Sequence, residues 1–425
     1  MLFCTDNLIL SVQICEESDM DKTLEKYYDI YKRMKDFDEN KIPLCAAETH
    51  ISNFCRMPLI SDFEGKYSFS SSGRNSFIGG EFVEELKELI SQECKILFDA
   101  EYTNAESLTG INCFTVCAMS LLQSGDHVLL TTPEQGGHAS MPIILNTLGV
   151  TYETMPYDFD KYQIDYAKIN MRVARGDIKY LIFCQSDVIY PPLLHNINLP
   201  EHVGIIYDGT QTLGLISGSV LPNPLKKENV VLIGGTHKTL PAPSCGLIMT
   251  NNKEYWCKLS NNITPNYLRN IQPNHMAALL LGLVEQRLVG CDYQKKVVSL
   301  GNQLGKALEC KGFKVAQIKN NDYTFTHQIF LLMSPSETSD FFINAMKYNI
   351  TLNDKHKLLF KNDGIRLGTQ QIARYDWNST EINTLAELLR LIKDEPINSN
   401  KIIELRRQLI TKKIPHFEYQ NITII

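Results

Sequence analysis

The sequence predicts an α/β fold: a mostly parallel sheet with helices on both faces, followed by a smaller C-terminal α+β region. Three observations predict it. Short β-branched and apolar runs alternate with helical windows through the middle of the chain. After about residue 285 the texture changes, and a long helical pattern gives way to shorter elements. Two of the apolar runs also end in reactive side chains. Ile205-Ile206-Tyr207-Asp208-Gly209 closes on a carboxylate, and Val230-Val231-Leu232-Ile233 runs directly into Gly234-Gly235-Thr236-His237-Lys238-Thr239-Leu240. Open α/β sheets keep their ligands at the carboxyl ends of strands.

Taken in order, Lys22 to Phe37 reads as an amphipathic helix with Leu24, Tyr28, Tyr31 and Met34 on one side. The Pro-marked segment Ile42-Pro43-Leu44 follows. Gly65 to Gly80, rich in glycine and serine, reads as a loop. Phe82 to Phe98 is helical in pattern, as is Cys113 to Leu122. Strands are expected near Val128-Leu130, Tyr180-Phe183, Gly204-Tyr207, Val230-Ile233 and Gly246-Thr250. A long helix starts at Asn274 and passes Val289. Beyond it, Phe313-Val315 and Gln328-Met333 read as strands and Thr380 to Lys393 as a helix, with Asn398-Ile425 packing as a tail. The expected organisation is an N-terminal helical arm (1–60), a large domain (61–285) and a small α+β domain (286–425).

The bulk properties exclude several classes. The 425 residues carry a formal charge of −6 and no basic block, which argues against nucleic acid or an anionic membrane as main partner. No apolar run reaches membrane-spanning length. The start, Met1-Leu2-Phe3-Cys4-Thr5-Asp6, lacks the basic flank of a secretory signal. The 12 cysteines form no C-x2-C pair, so no structural metal site is expected. Cys113 and Cys117 read as small buried hydrophobes. Reduced thiols without an export signal point to the cytoplasm.

The chemistry centres on Lys238 and Asp208. A lysine amine forms a Schiff base with an aldehyde cofactor, and a carboxylate can pair with the ring nitrogen of pyridoxal phosphate (PLP) and keep the ring electron-poor. Either residue alone reads more readily as a surface lysine or a turn aspartate, and it is their surroundings that favour the cofactor chemistry. Thr109-Gly110-Ile111-Asn112 precedes a helical run, a place where backbone N–H groups and the helix dipole can hold a phosphate, or where the threonine is a plain cap. In Gly136-Gly137-His138 the glycines would let the backbone approach a flat ligand and the imidazole could stack on a ring. Gly364-Ile365-Arg366-Leu367-Gly368-Thr369 places an arginine in a short strand, suited to a two-pronged grip on a carboxylate.

Together these pieces resemble serine hydroxymethyltransferase, a fold-type-I PLP enzyme. The resemblance runs from about Ala46 to Trp377. It is carried by Ala46-Ala47-Glu48, Leu121-Leu122-Gln123-Ser124-Gly125-Asp126, Gly136-Gly137-His138, Asp208-Gly209-Thr210-Gln211-Thr212-Leu213-Gly214, Pro222-Asn223-Pro224, Thr236-His237-Lys238-Thr239-Leu240 and Gly364-Ile365-Arg366-Leu367-Gly368-Thr369. It implies a mixed, mostly parallel seven-stranded sheet in the large domain and a homodimer with active sites at the subunit interface. It also implies roles. Lys238 would carry the Schiff base and Asp208 would pair with the ring nitrogen. His138 would stack on the ring. Thr109, Gly110 and Ile111 would lie along the phosphate, with Ser186, Gln211, Thr236 and His237 as further cofactor contacts. Arg366 would bind the substrate carboxylate. Tyr67 would reach into the neighbouring subunit's site, and Tyr67, His237 and Glu48 are the candidates for moving a proton.

Several positions depart from the family. Where it has Y-x-E, with a glutamate serving folate-linked chemistry, this chain has Tyr67-Ser68-Phe69. The tyrosine pair before G-G is Phe77-Ile78, and the serine of A-S-E-N is Ala47. The histidine of D-x-A-H is Gln211. The G-G-P run is replaced by Arg269-Asn270-Ile271-Gln272-Pro273, and the arginine of G-P-R-G-G is Ser244. The groups that hold PLP remain, while those that serve tetrahydrofolate are altered. The expectation is a folate-independent enzyme acting at Cα/Cβ of an amino acid through an external aldimine. Its reaction would be cleavage or transfer of the aldolase or transaldolase type on serine, threonine or glycine. Serine hydroxymethyl transfer proper, or transamination, racemisation or β-substitution, are the alternatives.

Overall fold

The computed structural model describes residues 21–71, 74–319, 322–394 and 399–420. The start segment Met1–Asp6, Asn398 and the last five residues of the tail lie outside them. The chain divides into two units, 1–41 and 42–425. The first contains helix α1 (Lys22–Asn40), capped by Asp21, whose carboxylate accepts from the Thr23 N–H at 2.7 Å. It runs three residues past the expected end at Phe37.

The second unit is built on a seven-stranded sheet. Its strands are β1 (Tyr102–Asn104), β2 (His127–Leu130), β3 (Thr151–Thr154), β4 (Tyr180–Phe183), β5 (Gly204–Asp208), β6 (Val230–His237) and β7 (Pro241–Thr250). The spatial order is β1-β7-β6-β5-β4-β2-β3. Neighbours pair in parallel except where β7 meets β6 and β1, so β7 alone runs against the rest. Successive residues of a strand face opposite sides of a sheet, and a sheet covered on both faces needs apolar residues at every position. Leu129, Leu181, Phe183, Ile205, Leu232 and Leu247 enter one core. Their chain neighbours Val128, Leu130, Ile182, Ile206, Val231 and Ile248 enter the core on the other face.

Helices α2 (Glu81–Phe98) and α3 (Gly110–Leu121) pack on this sheet, and the 38-residue α4 (Pro273–Cys310) spans two cores. Met276, Leu279 and Leu283 on α4 belong to the large-sheet core. Farther along, Tyr293, Val297, Leu300, Leu304 and Leu308 join a core around a second sheet. That sheet is antiparallel, with strands β8 (Gln328–Leu332), β9 (Asn353–Lys355) and β10 (Gly364–Gly368) in the order β8-β10-β9. Helices α5 (Pro335–Lys347), α6 (Ser379–Lys393) and α7 (Ser399–Ile410) complete it, and Ile402, Leu405 and Leu409 bury the tail helix.

The structure differs from several of the expected elements. Phe313-Val315 is not a strand. It follows the turn at Gly312 and makes a single bridge, Val315 to Leu331, while its apolar side chains still enter the core. Strands β1 and β3 were not expected. Both are short outer strands at the two ends of the sheet, and β3 is largely exposed, so neither carries an apolar run. Strand β6 continues to His237 because Gly234, Gly235 and His237 keep pairing with β7. Lys238 therefore opens the turn of a β6–β7 hairpin.

Candidate active site

The carboxyl ends of β2, β4, β5 and β6 open on one cavity of about 290 Å³. Thr109, Gly110, Ile111, His138, Ser186, Asp208, Gln211, His237, Lys238 and Arg366 all line it, together with Met141, Gln185, Thr210 and Lys355. Ten sequence-designated residues are thus brought together from separate segments. Thr236, Glu48 and Tyr67 are not among the lining residues. The Thr236 hydroxyl donates to the Pro243 carbonyl at 2.7 Å and is fully buried. The Glu48 carbonyl accepts from Gln370 Nε2 at 2.6 Å. Tyr67 is 38% exposed and packs on Phe77, ring centroids 4.7 Å apart.

The N-terminus of α3 forms one wall. Thr109 is its cap, the hydroxyl accepting from Asn112 N–H at 3.3 Å. The first N–H groups of a helix have no partner inside it and carry the positive end of its dipole. Gly110 lets this turn settle onto β6: a Cβ there would lie 2.6 Å from Thr210 Oγ1 and 2.8 Å from the Gly235 nitrogen. Gly136 and Gly137 serve packing of the same kind and do not line the cavity. A Cβ at Gly136 would meet the Asp187 carbonyl at 2.1 Å, and one at Gly137 the Thr131 carbonyl at 2.0 Å. This tight turn lets the Gly136 carbonyl accept from the Ser186 and Asp187 N–H groups and aims His138 into the cavity.

Asp208 closes β5, with Oδ1 accepting from the Thr210 N–H at 2.8 Å. Burial raises its pKa above the usual carboxylate range, against the hydrogen bonds from Thr210. Gln211 Oε1 accepts from Gln328 Nε2 at 3.0 Å, which orients the glutamine amide. Lys238 has its amine pulled down to about 8, first by burial and then by the charge of Arg366. His237 is pulled down to about 4 by burial, then by Lys238, so its ring is neutral across the physiological range.

Arg366, on β10, donates through Nη1 to Asp187 Oδ1 at 2.7 Å and to the Ser186 carbonyl at 3.0 Å, and through Nη2 to Asn353 Oδ1 at 2.8 Å. A guanidinium has five N–H donors. Three are used, and Nε is buried without a partner among the described residues. Asp187, fully buried, also meets Lys355 at 3.1 Å and Lys357 at 2.7 Å. Burial would raise its carboxyl, but Arg366, Lys355 and Lys357 outweigh that and hold it at about 2.

Sequence reasoning missed Asp187, Lys355, Gln185, Met141 and Thr210. Asp187 stands directly after Ser186, which was a usable signal. Lys355 reaches the cavity only through the β9–β10 pairing, which no local pattern announces.

The donor set fits PLP. A helix terminus suits its phosphate, a depressed amine suits its aldehyde, and a buried carboxylate in need of countercharge suits a cationic ring nitrogen. Gln185 and His237 line the cavity, and Gln185 Oε1 and His237 Nδ1 are buried without a hydrogen-bond partner among the described residues. The architecture is that of a fold-type-I PLP enzyme. A family model described as serine hydroxymethyltransferase matches residues 19–389. Among similar proteins, the serine hydroxymethyltransferase of Methanothermobacter thermautotrophicus is 27% identical over 380 residues, covering 87% of this chain and 89% of its own length. That of Methanocella arvoryzae is 28% identical, covering 92% and 93%. Among solved structures, L-threonine transaldolase from Pseudomonas fluorescens in its internal aldimine state superposes with a TM-score of 0.84. It is 20% identical and covered over 92% of both chains. The chain belongs to the serine hydroxymethyltransferase family and is a PLP-dependent enzyme. Among the described residues, no helix is long and apolar enough to cross a membrane.

Proposed function

We propose that this enzyme cleaves or exchanges the Cα–Cβ bond of a β-hydroxy amino acid such as threonine or serine, without tetrahydrofolate. The observation that carries this reading is at Phe69. The family's motif puts the folate-linked glutamate there, and here the ring lies beneath the Arg269 guanidinium, 5.0 Å from its centroid. A phenyl ring cannot hold or move a proton, and Arg269 itself stands where the family has its glycine-rich run.

PLP, when bound, supplies an electron sink for a bond broken at Cα. The chain's residues supply the rest. Lys238 would present its amine to the aldehyde, with a larger unprotonated fraction near neutral pH than an ordinary lysine has. Asp208 would hold the ring nitrogen cationic, and His138 would lie against the ring face. The Gly110 and Ile111 N–H groups, with Thr109, would hold the phosphate, and the Gln211 amide and Ser186 would contact the ring's edge. Arg366, which lines the cavity, would grip the α-carboxylate with its remaining donors. Of the three proton-shuttle candidates, His237 lines the cavity, with a neutral ring and an Nδ1 that has no hydrogen-bond partner among the described residues. It would take the β-hydroxyl proton as Cα–Cβ breaks and hold it for return to Cα. Exposure of Tyr67 supports its reach toward a neighbouring subunit in a cytoplasmic homodimer.

Family membership favours a second reading, serine hydroxymethyl transfer itself. Aldehyde release from threonine separates the two. The proposal expects turnover by the PLP-loaded enzyme with no folate present, lost in Lys238→Ala. Cleavage that appears only on adding tetrahydrofolate, with serine in place of threonine, would return the enzyme to the second reading.

A further inference from the structure

Lys355 has no part in the chemistry above, yet its ammonium stands in the cavity. Strands β9 and β10 are antiparallel, with Asn353 opposite Arg366 and Lys355 opposite Gly364. Side chains alternate along a strand, so Asn353 and Lys355 share the face that carries Arg366. Lys355 is the diagonal neighbour of Arg366, about 7 Å away between side-chain roots. Gly364 opposite it contributes no side chain. Both cations converge on one oxygen: Arg366 Nη1 and Lys355 Nζ lie 2.7 Å and 3.1 Å from Asp187 Oδ1. Lys357 occupies Oδ2 at 2.7 Å. Three cations therefore surround a single buried carboxylate, leaving an excess of positive charge.

An ammonium has three N–H donors. Among the described residues, Asp187 is the one ion-pair partner of Lys355. Lys355 and Arg366 line the cavity and Lys357 does not. Burial lowers the pKa of Lys355; Asp187 opposes the shift, and Arg366 adds to it.

Resting on the amino-acid reading of the cavity, we propose that Lys355 binds a second carboxylate, so that the preferred substrate is a β-hydroxy amino acid with an acid group on its Cβ side. Arg366 takes the α-carboxylate and Lys355 the distal one. Cleavage of such a substrate breaks Cα–Cβ. The carbinol carbon becomes an aldehyde acid as its hydroxyl proton leaves, and a proton returned to Cα gives glycine. No oxidant or reductant is needed.

Aspartate and asparagine, nearly isosteric and differing in charge, test this on the PLP-loaded enzyme by titration of its absorbance spectrum. In the wild type, aspartate binds at least about tenfold more tightly than asparagine, as a charge-assisted contact would give. Lys355→Met brings the ratio to about one. Lys357→Met, which strips Asp187 of a partner without touching the cavity, keeps it. Equal affinities in the wild type, or a ratio that collapses in both variants, would overturn the role of Lys355 alone. No spectral response to either amino acid would overturn the amino-acid reading as well.

Discussion

Asp187 Oδ1 and Arg366 Nη1 meet at 2.7 Å in a buried pair, which joins the carboxyl-end loop of β4 to the middle of β10. The arginine proposed to bind the substrate carboxylate is thus fixed by a carboxylate of the chain itself, and Asn353 fixes its second nitrogen. An arginine held on three of its five donors loses little freedom when a ligand takes the others.

Asp187→Asn should therefore cost more than an ordinary surface change. It leaves Arg366, Lys355 and Lys357 facing one another without an anion. Removing one partner of a buried ion pair costs about 3–5 kcal/mol, and a loss of that size should appear in urea unfolding at neutral pH. The pH dependence has a definite sign. The folded-state pKa of Asp187, about 2, lies below the ordinary aspartate value. Its contribution is complete above about pH 4 and is lost as pH falls toward 2. Wild type and variant should converge in stability over that acid window. A variant within about 1 kcal/mol of wild type at pH 7 would mean that the three cations are stable without Asp187.

Lys238 gives a kinetic prediction. Only the neutral amine attacks an aldehyde, and burial, with Arg366 next, brings its pKa to about 8. The rate at which cofactor-free protein takes up PLP should rise with pH and level off above about 8. An inflection near the ordinary lysine value, about 10.4, would show that the amine is not tuned by its surroundings.

Much of the fold was legible because strands buried on both faces write themselves as unbroken apolar runs: Val230-Ile233 and Gly204-Tyr207 could be found on that basis alone. Outer strands write nothing so plain. β3 is mostly exposed, and β1 holds its place by pairing with β7. The site was legible where a residue ends a strand or begins a helix, as with Asp208, Lys238 and Thr109. It was not legible where a side chain enters from the second sheet. Lys355 meets the cavity only because Asn353 pairs with Arg366 across a gap of 13 residues. Gly136 and Gly137 misled for a related reason. Their missing side chains make room for the backbone at Asp187 and Thr131, a need set by tertiary packing.

Gly110 separates cofactor binding from helix propensity. Alanine is a better helix former than glycine by about 1 kcal/mol, so with open space around it Gly110→Ala would strengthen α3. The space is not open: the added Cβ would lie 2.6 Å from Thr210 Oγ1 and 2.8 Å from the Gly235 nitrogen, and the second of these is backbone. The start of α3 would have to lift from β6, carrying with it the N–H groups of the cavity wall. Thr210 would be pushed as well, and it donates to Asp208 and accepts from the Gly235 N–H at 2.9 Å. Affinity for PLP should fall by at least about tenfold, equivalent to about 1.4 kcal/mol, measured by absorbance titration of cofactor-free protein. Helical content should stay unchanged. Undiminished affinity would show that the cofactor's phosphate does not depend on the seating of α3.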